Sequence, residues 1–130
     1  MKGKMKIVRG NIIYVDLGQH SKKSSRQSGV RPCLVVSNPR SNLLSVCPFT
    51  TQFEDKKSNP VHVKVTAKDV KGYEIKPSMI LVEQTVPVDR RLVVSKIGYI
   101  SNPQVMENVN HALLVQYDLL KEEDTHEATK

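Results

Sequence analysis

Three short polar segments carry the side chains best suited to chemistry in this chain. They are Arg31, the Thr-Thr-Gln run at residues 50–52, and the pair Glu83 and Gln84, and each adjoins an apolar run typical of a strand. Arginine binds phosphate through two parallel hydrogen bonds and keeps its charge at any working pH. A threonine hydroxyl can stabilise developing negative charge, and a carboxylate can act as a base. Together these groups suffice for cleavage of an RNA phosphodiester by its own 2′-hydroxyl.

Other interpretations of these residues remain open. Taken by itself, the Arg31 segment favours a surface arginine at an ordinary turn. The four histidines (His20, His62, His111 and His126) lie far apart and lack metal-ligand spacing, which disfavours a mechanism driven by histidine or metal. His20 remains a candidate catalytic histidine because it lies in a polar loop. His62 occupies an outward position of an alternating strand and is interpreted as solvated.

Composition indicates a single intracellular domain with a polyanionic partner. The 130 residues include 20 Lys and Arg against 13 Asp and Glu, which gives a net charge of +7 and favours nucleic acid over other partners. No apolar stretch approaches a membrane span and no signal-type segment follows Met1, so we expect a cytoplasmic protein. Cys33 and Cys47 lie in apolar runs and are predicted to be buried, reduced thiols.

The hydrophobic pattern predicts a β-dominated α+β fold. Strands are expected near residues 11–17, 34–36, 43–51, 61–65 and 78–84, with part of a strand in 92–100, and a helix opens at Pro103 after a cap at Ser101 or Asn102. Residues 68–77 are predicted to be a polar connection and residues 87–91 a turn. Pro32 fits the first residue of its strand, and Pro48 implies an edge, a bulge or an irregular end. One domain spans residues 1–120, and the polar tail 121–130 is expected to be disordered.

The segment at residues 18–29 is polar and cationic, and it contains no large apolar residue. A loop of this length and composition is more often functional than structural. Lys22, Lys23 and Arg26 can contact phosphates there, although for any single lysine a solvated position is the simpler interpretation.

The order and spacing of these motifs resemble the MazF/PemK (Kid) toxins of bacterial toxin–antitoxin pairs. The resemblance covers about residues 7–120. The Gly-x-Arg-Pro-x-Leu-Val-Val element is its most specific part. The matching stretches are Arg9-Gly10-Asn11-Ile12-Ile13-Tyr14, Gly29-Val30-Arg31-Pro32-Cys33-Leu34-Val35-Val36-Ser37-Asn38, Phe49-Thr50-Thr51-Gln52, Leu81-Val82-Glu83-Gln84 and Asp89.

The resemblance implies a small SH3-like barrel of five to seven strands with a long C-terminal helix, as in CcdB and PemK, forming a homodimer. It implies a sequence-specific endoribonuclease that cleaves single-stranded mRNA without metal or cofactor, leaves 2′,3′-cyclic phosphate and 5′-hydroxyl ends, and inhibits translation and growth. A MazE-like antitoxin would be its cognate partner.

By matching position, Arg31 takes the family's catalytic arginine role in phosphate stabilisation and proton donation, and Thr50 takes the role of the catalytic threonine. Glu83 aligns with an acidic residue proposed as the base in some members. The candidate RNA-binding residues are His20, Lys22, Lys23, Arg26, Gln27, Ser28, Gln52 and Gln84.

The chain departs from the family pattern in three places. Arg26-Gln27 stands where many relatives have Glu-Gln, Ser25 where some carry histidine, and Leu81 where some carry a second arginine. These departures leave the base and the RNA sequence preference open. Two other functions also fit the pattern: a CcdB-like toxin that poisons DNA gyrase by protein contact, and an inactive RNA-binding barrel. The convergence of an arginine and a threonine on a phosphate favours the nuclease.

Overall fold

The computed structural model describes residues 6–19, 27–52 and 59–120. Within these ranges the chain forms eight antiparallel strands and one α-helix, which we number in chain order. Their bounds are β1 Asn11–Asp16, β2 Val30–Val35, β3 Leu43–Thr50, β4 His62–Val65, β5 Val70–Lys71, β6 Ser78–Leu81, β7 Val86–Asp89, β8 Val93–Ile100 and α1 Pro103–Gln116. Short 3₁₀ turns at Ala67–Asp69, Val82–Gln84 and Arg90–Leu92 connect them.

The strands form a nearly closed barrel in the order β4-β6-β3-β2-β1-β8-β5, with β7 paired to β3 beside this path. Strand β3 changes partner along its length, because residues 43–46 pair with β7 and residues 49–50 pair with β6. A strand-dominated barrel with one C-terminal helix confirms the predicted β-dominated α+β class and SH3-like architecture, although the described residues form eight strands rather than five to seven.

Strands β1 to β3 are buried on both faces, which explains why their apolar runs do not alternate cleanly with polar residues. Ile12 and Leu34 belong to the core cluster that α1 covers, whereas their neighbours Ile13 and Cys33 belong to a second cluster closed by β7. Helix α1 contributes Val105, Val109 and Ala112 to the first cluster.

The helix start agrees with the prediction. The Asn102 side chain accepts a hydrogen bond from the Gln104 backbone N–H at 3.0 Å, and Pro103 takes the first helical position. The helix ends at Gln116, which is exposed. The tail at residues 121–130 lies outside the described residues.

Several boundaries differ from the sequence pattern. Strand β2 begins at Val30, so Pro32 is its third residue rather than its first. Strand β7 lies where Pro87 and Asp89 indicated a turn, because Val88 packs inward while Pro87 stays exposed. Strand β5 has two residues, too few to give a periodic pattern, and residues 82–84 form a 3₁₀ turn instead of extending β6.

Pro48 lies inside β3, between the stretches that pair with β7 and with β6, so the expected irregularity is a change of partner strand. Cys33 and Cys47 are free and buried, as predicted. Cys33 lies opposite Pro48 while Cys47 lies opposite Leu34, so the two thiols face opposite sides of the sheet. Within the described ranges, no helix has both the length and the apolar character needed to span a bilayer.

Candidate active site

Arg31, the second residue of β2, is positioned by the hairpin that joins β1 to β2. The Gly29 N–H donates to the Gly18 carbonyl at 2.7 Å, and the Leu17 N–H donates to the Gly29 carbonyl at 2.9 Å. Gly29 has φ +77°, a left-handed conformation that a side chain disfavours. Arg31 then pairs with Val15, which is completely buried, so the backbone that carries the guanidinium is fixed by the core.

The Arg31 side chain is exposed and held by one hydrogen bond, in which Nε donates to the Ser28 carbonyl at 3.0 Å. Among the described residues, its two terminal nitrogens have no hydrogen-bond or ion-pair partner. They are the nitrogens that a phosphate would bind through parallel hydrogen bonds.

Thr50 is the last residue of β3 and pairs with Met79 of β6. Its Oγ1 accepts a hydrogen bond from the Gln52 N–H at 3.1 Å, while its own contact to the Gln52 carbonyl is long, at 3.4 Å. The hydroxyl oxygen is therefore fixed in place while its hydrogen can turn towards a ligand.

Arg31 and Thr50 line one open cleft of about 200 Å³, which we call the Arg31–Thr50 cleft. The structure thus brings together the arginine and the threonine that the sequence singled out. The other lining residues are Pro32, Phe49, Thr51, Tyr73, Glu74, Ile75, Lys76 and Ser78.

Glu83 and Gln84 lie elsewhere, in the 3₁₀ turn after β6. They line a second cavity of about 320 Å³, which we call the Gln27–Gln84 cavity, together with Leu17, Gln27, Pro48, Thr85 and Val86. The Gln27 N–H donates to Gln84 Oε1 at 2.9 Å. The residues that line the Arg31–Thr50 cleft do not include Glu83.

His62 is not the solvated residue that its strand pattern suggested. Its side chain is 25% exposed, and its Nε2 lies 2.8 Å from Glu83 Oε2. The pairing of His62 with Leu81 across β4 and β6 brings the histidine beside the turn that carries Glu83. The carboxylate proposed as a base is therefore already bound to an imidazole.

The remaining predicted RNA-binding residues fall into two groups. Ser28 contributes its carbonyl to Arg31, and Gln52 is exposed just past the end of β3. His20, Lys22, Lys23 and Arg26 lie outside the described residues.

The sequence pattern missed the cleft residues Tyr73, Glu74 and Lys76, which belong to the stretch predicted as a polar connection. Tyr73 OH lies 3.2 Å from Tyr14 OH, and the two rings meet edge to face with centroids 6.2 Å apart. This hydrogen bond, with burial, raises the pKa of Tyr73 to about 12, so the phenol is neutral at physiological pH. Tyr73 and Ile75, two large side chains with apolar surface on either side of Glu74 in a polar stretch, were the available signal of a packed segment.

No three His, Cys, Asp or Glu side chains of residues 6–19, 27–52 and 59–120 converge in a way that could hold a metal ion.

Known proteins resemble this chain along most of its length. Residues 8–117 match the family described as PemK-like, MazF-like toxin of type II toxin–antitoxin system. The endoribonuclease EndoA of Bacillus subtilis is 33% identical over 120 residues, covering 89% of this chain and 98% of the relative.

The fold is shared by solved structures, and two of them illustrate the similarity to this chain. MazF from Deinococcus radiodurans has a TM-score of 0.70 at 19% identity, covering 88% of this chain and 99% of the other. An endoribonuclease in complex with its cognate antitoxin, from Mycobacterial species, has a TM-score of 0.68 at 19% identity, covering 88% and 98%.

Proposed function

We propose, from the premise that this chain belongs to the PemK-like, MazF-like family of type II toxin–antitoxin toxins, that it is an endoribonuclease whose Arg31–Thr50 cleft cuts single-stranded RNA. The observation that carries the proposal is the convergence of Arg31 and Thr50 on one open cleft, although the two residues come from different strands. A relative with 33% identity is named for this activity.

The reaction uses the 2′-hydroxyl of the substrate as the nucleophile. The terminal nitrogens of Arg31 bind the non-bridging oxygens of the scissile phosphate, where negative charge grows in the transition state. The Thr50 hydroxyl donates a further hydrogen bond to that charge. The products carry a 2′,3′-cyclic phosphate and a 5′-hydroxyl, and no step requires a metal ion.

The Gln27–Gln84 cavity contacts a neighbouring nucleotide. The Gln84 side chain offers both a carbonyl and an amide, which suits hydrogen bonding to the edge of an unstacked base. The Gln84 carbonyl already accepts from the Gln27 backbone, so its position is fixed before RNA binds. Gln52 and Ser28, together with His20, Lys22, Lys23 and Arg26, extend the RNA-binding surface.

In the cell, the protein is a cytoplasmic homodimer silenced by a MazE-like antitoxin. A structural neighbour is described in complex with its cognate antitoxin, which supports a partner of this kind. Side chains such as Val30, Leu43 and Val94 are more than half exposed and offer apolar surface for subunit or antitoxin contacts. The antitoxin covers the cleft and competes with RNA for Arg31.

A CcdB-like gyrase poison is the alternative function. Such a toxin acts by protein contact and does not require the arginine and threonine to share a cleft. The shared cleft therefore favours the nuclease.

The test is to incubate the purified protein with a long RNA of mixed sequence, map the cut sites and analyse the ends. Cuts at a recurring sequence with cyclic-phosphate and 5′-hydroxyl ends support the proposal. Intact RNA, combined with inhibition of gyrase supercoiling, would replace it with the alternative.

A further inference from the structure

We propose that Glu74 is the general base of the Arg31–Thr50 cleft, taking the proton from the substrate's 2′-hydroxyl, and this inference rests on the proposed function. Among the described residues that line the cleft, Glu74 is the only carboxylate. It is exposed, and no described residue forms a hydrogen bond or ion pair with it. Glu83, by contrast, lines a different cavity and is bound to His62 at 2.8 Å.

Glu74 is held between two anchored neighbours. Tyr73 is fixed by its hydroxyl contact to Tyr14 of β1, and Ile75 is 6% exposed within the core cluster under α1. One residue further on, the Lys76 carbonyl accepts a 2.6 Å hydrogen bond from the hydroxyl of the buried Ser78. A side chain on so fixed a backbone needs little reorganisation before it reacts.

The turn before Glu74 is also fixed. Gly72 has φ +85° and packs against Gly98 of β8. A Cβ added to Gly98 would lie only 2.5 Å from the Lys71 carbonyl oxygen. This close backbone contact between Gly72 and Gly98 holds the start of the segment at residues 73–76 against β8. The carboxylate therefore enters the cleft from the side formed by this segment, whereas Arg31 enters from β2 and Thr50 from β3.

Glu74 and Arg31 together account for every proton that moves during cleavage of the phosphodiester. The Glu74 carboxylate takes the 2′-hydroxyl proton, the 2′-oxygen forms a bond to phosphorus, and the bond from phosphorus to the 5′-oxygen breaks. The leaving oxygen takes a proton from Arg31, which regains one from water, while Glu74 returns its proton to solvent. No redox step occurs. The other charged and titratable groups that line the cleft are Arg31 from β2 and Tyr73 and Lys76 from the same segment as Glu74.

The experiment compares Glu74→Gln with Glu74→Asp on an oligonucleotide carrying a cut site mapped with the wild-type protein. General-base catalysis is worth about 100-fold or more, so Glu74→Gln lowers kcat by at least that factor, with a smaller change in KM. The acid limb of the kcat profile against pH disappears in Glu74→Gln. Glu74→Asp keeps that limb and recovers part of the rate, because a carboxylate remains.

Two further variants sharpen the result. Glu83→Gln keeps the acid limb, whatever it does to KM, because its carboxylate lies outside the cleft. Glu107→Gln removes the same charge from an exposed position on α1 and leaves cleavage unchanged.

Two results would overturn the assignment to Glu74: near wild-type kcat with the acid limb intact in Glu74→Gln, or a change confined to KM. Either leaves the proposed function standing, provided the wild-type protein cuts RNA. A wild-type protein that cuts no RNA would instead refute the function itself.

Discussion

Replacing Arg31 with alanine should abolish RNA cleavage while the fold survives, and the structure allows both effects to be estimated. The fold loses one exposed hydrogen bond, from Nε to the Ser28 carbonyl, which is worth about 1 kcal/mol or less. The transition state loses the contacts of both terminal nitrogens to a developing charge. Removing a single such donor costs about 100-fold to 1,000-fold in kcat, so the loss in Arg31→Ala should reach at least that range.

The assay combines single-turnover cleavage of a mapped oligonucleotide with urea unfolding of the same preparations. Arg31→Lys separates charge from geometry: it keeps the positive charge but loses the planar fork, so its rate should fall between those of wild type and Arg31→Ala. Arg40→Ala is the matched control, because Arg40 is an exposed arginine in the loop between β2 and β3. A folded Arg31→Ala protein that cuts RNA at near wild-type rate would refute the reasoning, and so would a large loss of stability in that variant.

Four further predictions follow from other features. Thr50→Ala should slow cleavage less than Arg31→Ala does, because backbone N–H groups can share its role; an equal or larger loss in single-turnover rate would contradict this. Cleavage should persist in EDTA and fail on RNA with a 2′-deoxy residue 5′ to the cut, which gel analysis of both substrates would test. Affinity for an acidic antitoxin segment should fall as salt rises, and a titration at two ionic strengths that gave equal values would count against charge pairing at Arg31. Asp69→Asn should lower the free energy of unfolding by about 2 kcal/mol at neutral pH, because Asp69 accepts hydrogen bonds from Thr66 and Asn102. The hydrogen bond from Asn102 is the main cause that holds the pKa of Asp69 below its usual value. Urea unfolding should therefore show that the difference in unfolding free energy between wild type and Asp69→Asn is lost as the pH falls through that lowered pKa.

The sequence predicted those elements whose position is determined by local hydrophobic periodicity or by a capping residue. The cap at Asn102 and the alternating strand around Val63 depend on local rules and are confirmed. Strands β5 and β7 were missed because one is too short for a pattern and the other contains residues typical of turns. Their existence depends on pairing with β8 and β3, which are distant in sequence.

The residues of the candidate site also divide into those that local sequence features indicate and those that distant contacts place. Arg31 and Thr50 were found because each stands at the end of an apolar run, and their meeting in one cleft needed only the pairing of neighbouring strands. Glu74 was missed because its position is set by the contact of Gly72 with Gly98, which no local pattern encodes. Glu83 was grouped with Arg31 and Thr50 because it also adjoins an apolar run, but the 3₁₀ turn after β6 places it beside His62.

The contact between Gly72 and Gly98 has a consequence for synthesis of the protein on the ribosome. Strand β8 pairs with both β1 and β5, so the barrel cannot close until nearly all of the described chain has left the exit tunnel. Pairings between such distant segments form late and slowly during folding. The segment that carries Glu74 rests on β8, so it cannot take its final place before β8 is available. We expect a nascent chain that lacks β8 to have no assembled cleft, so RNA cleavage should begin only after β8 has been synthesised and has left the ribosome.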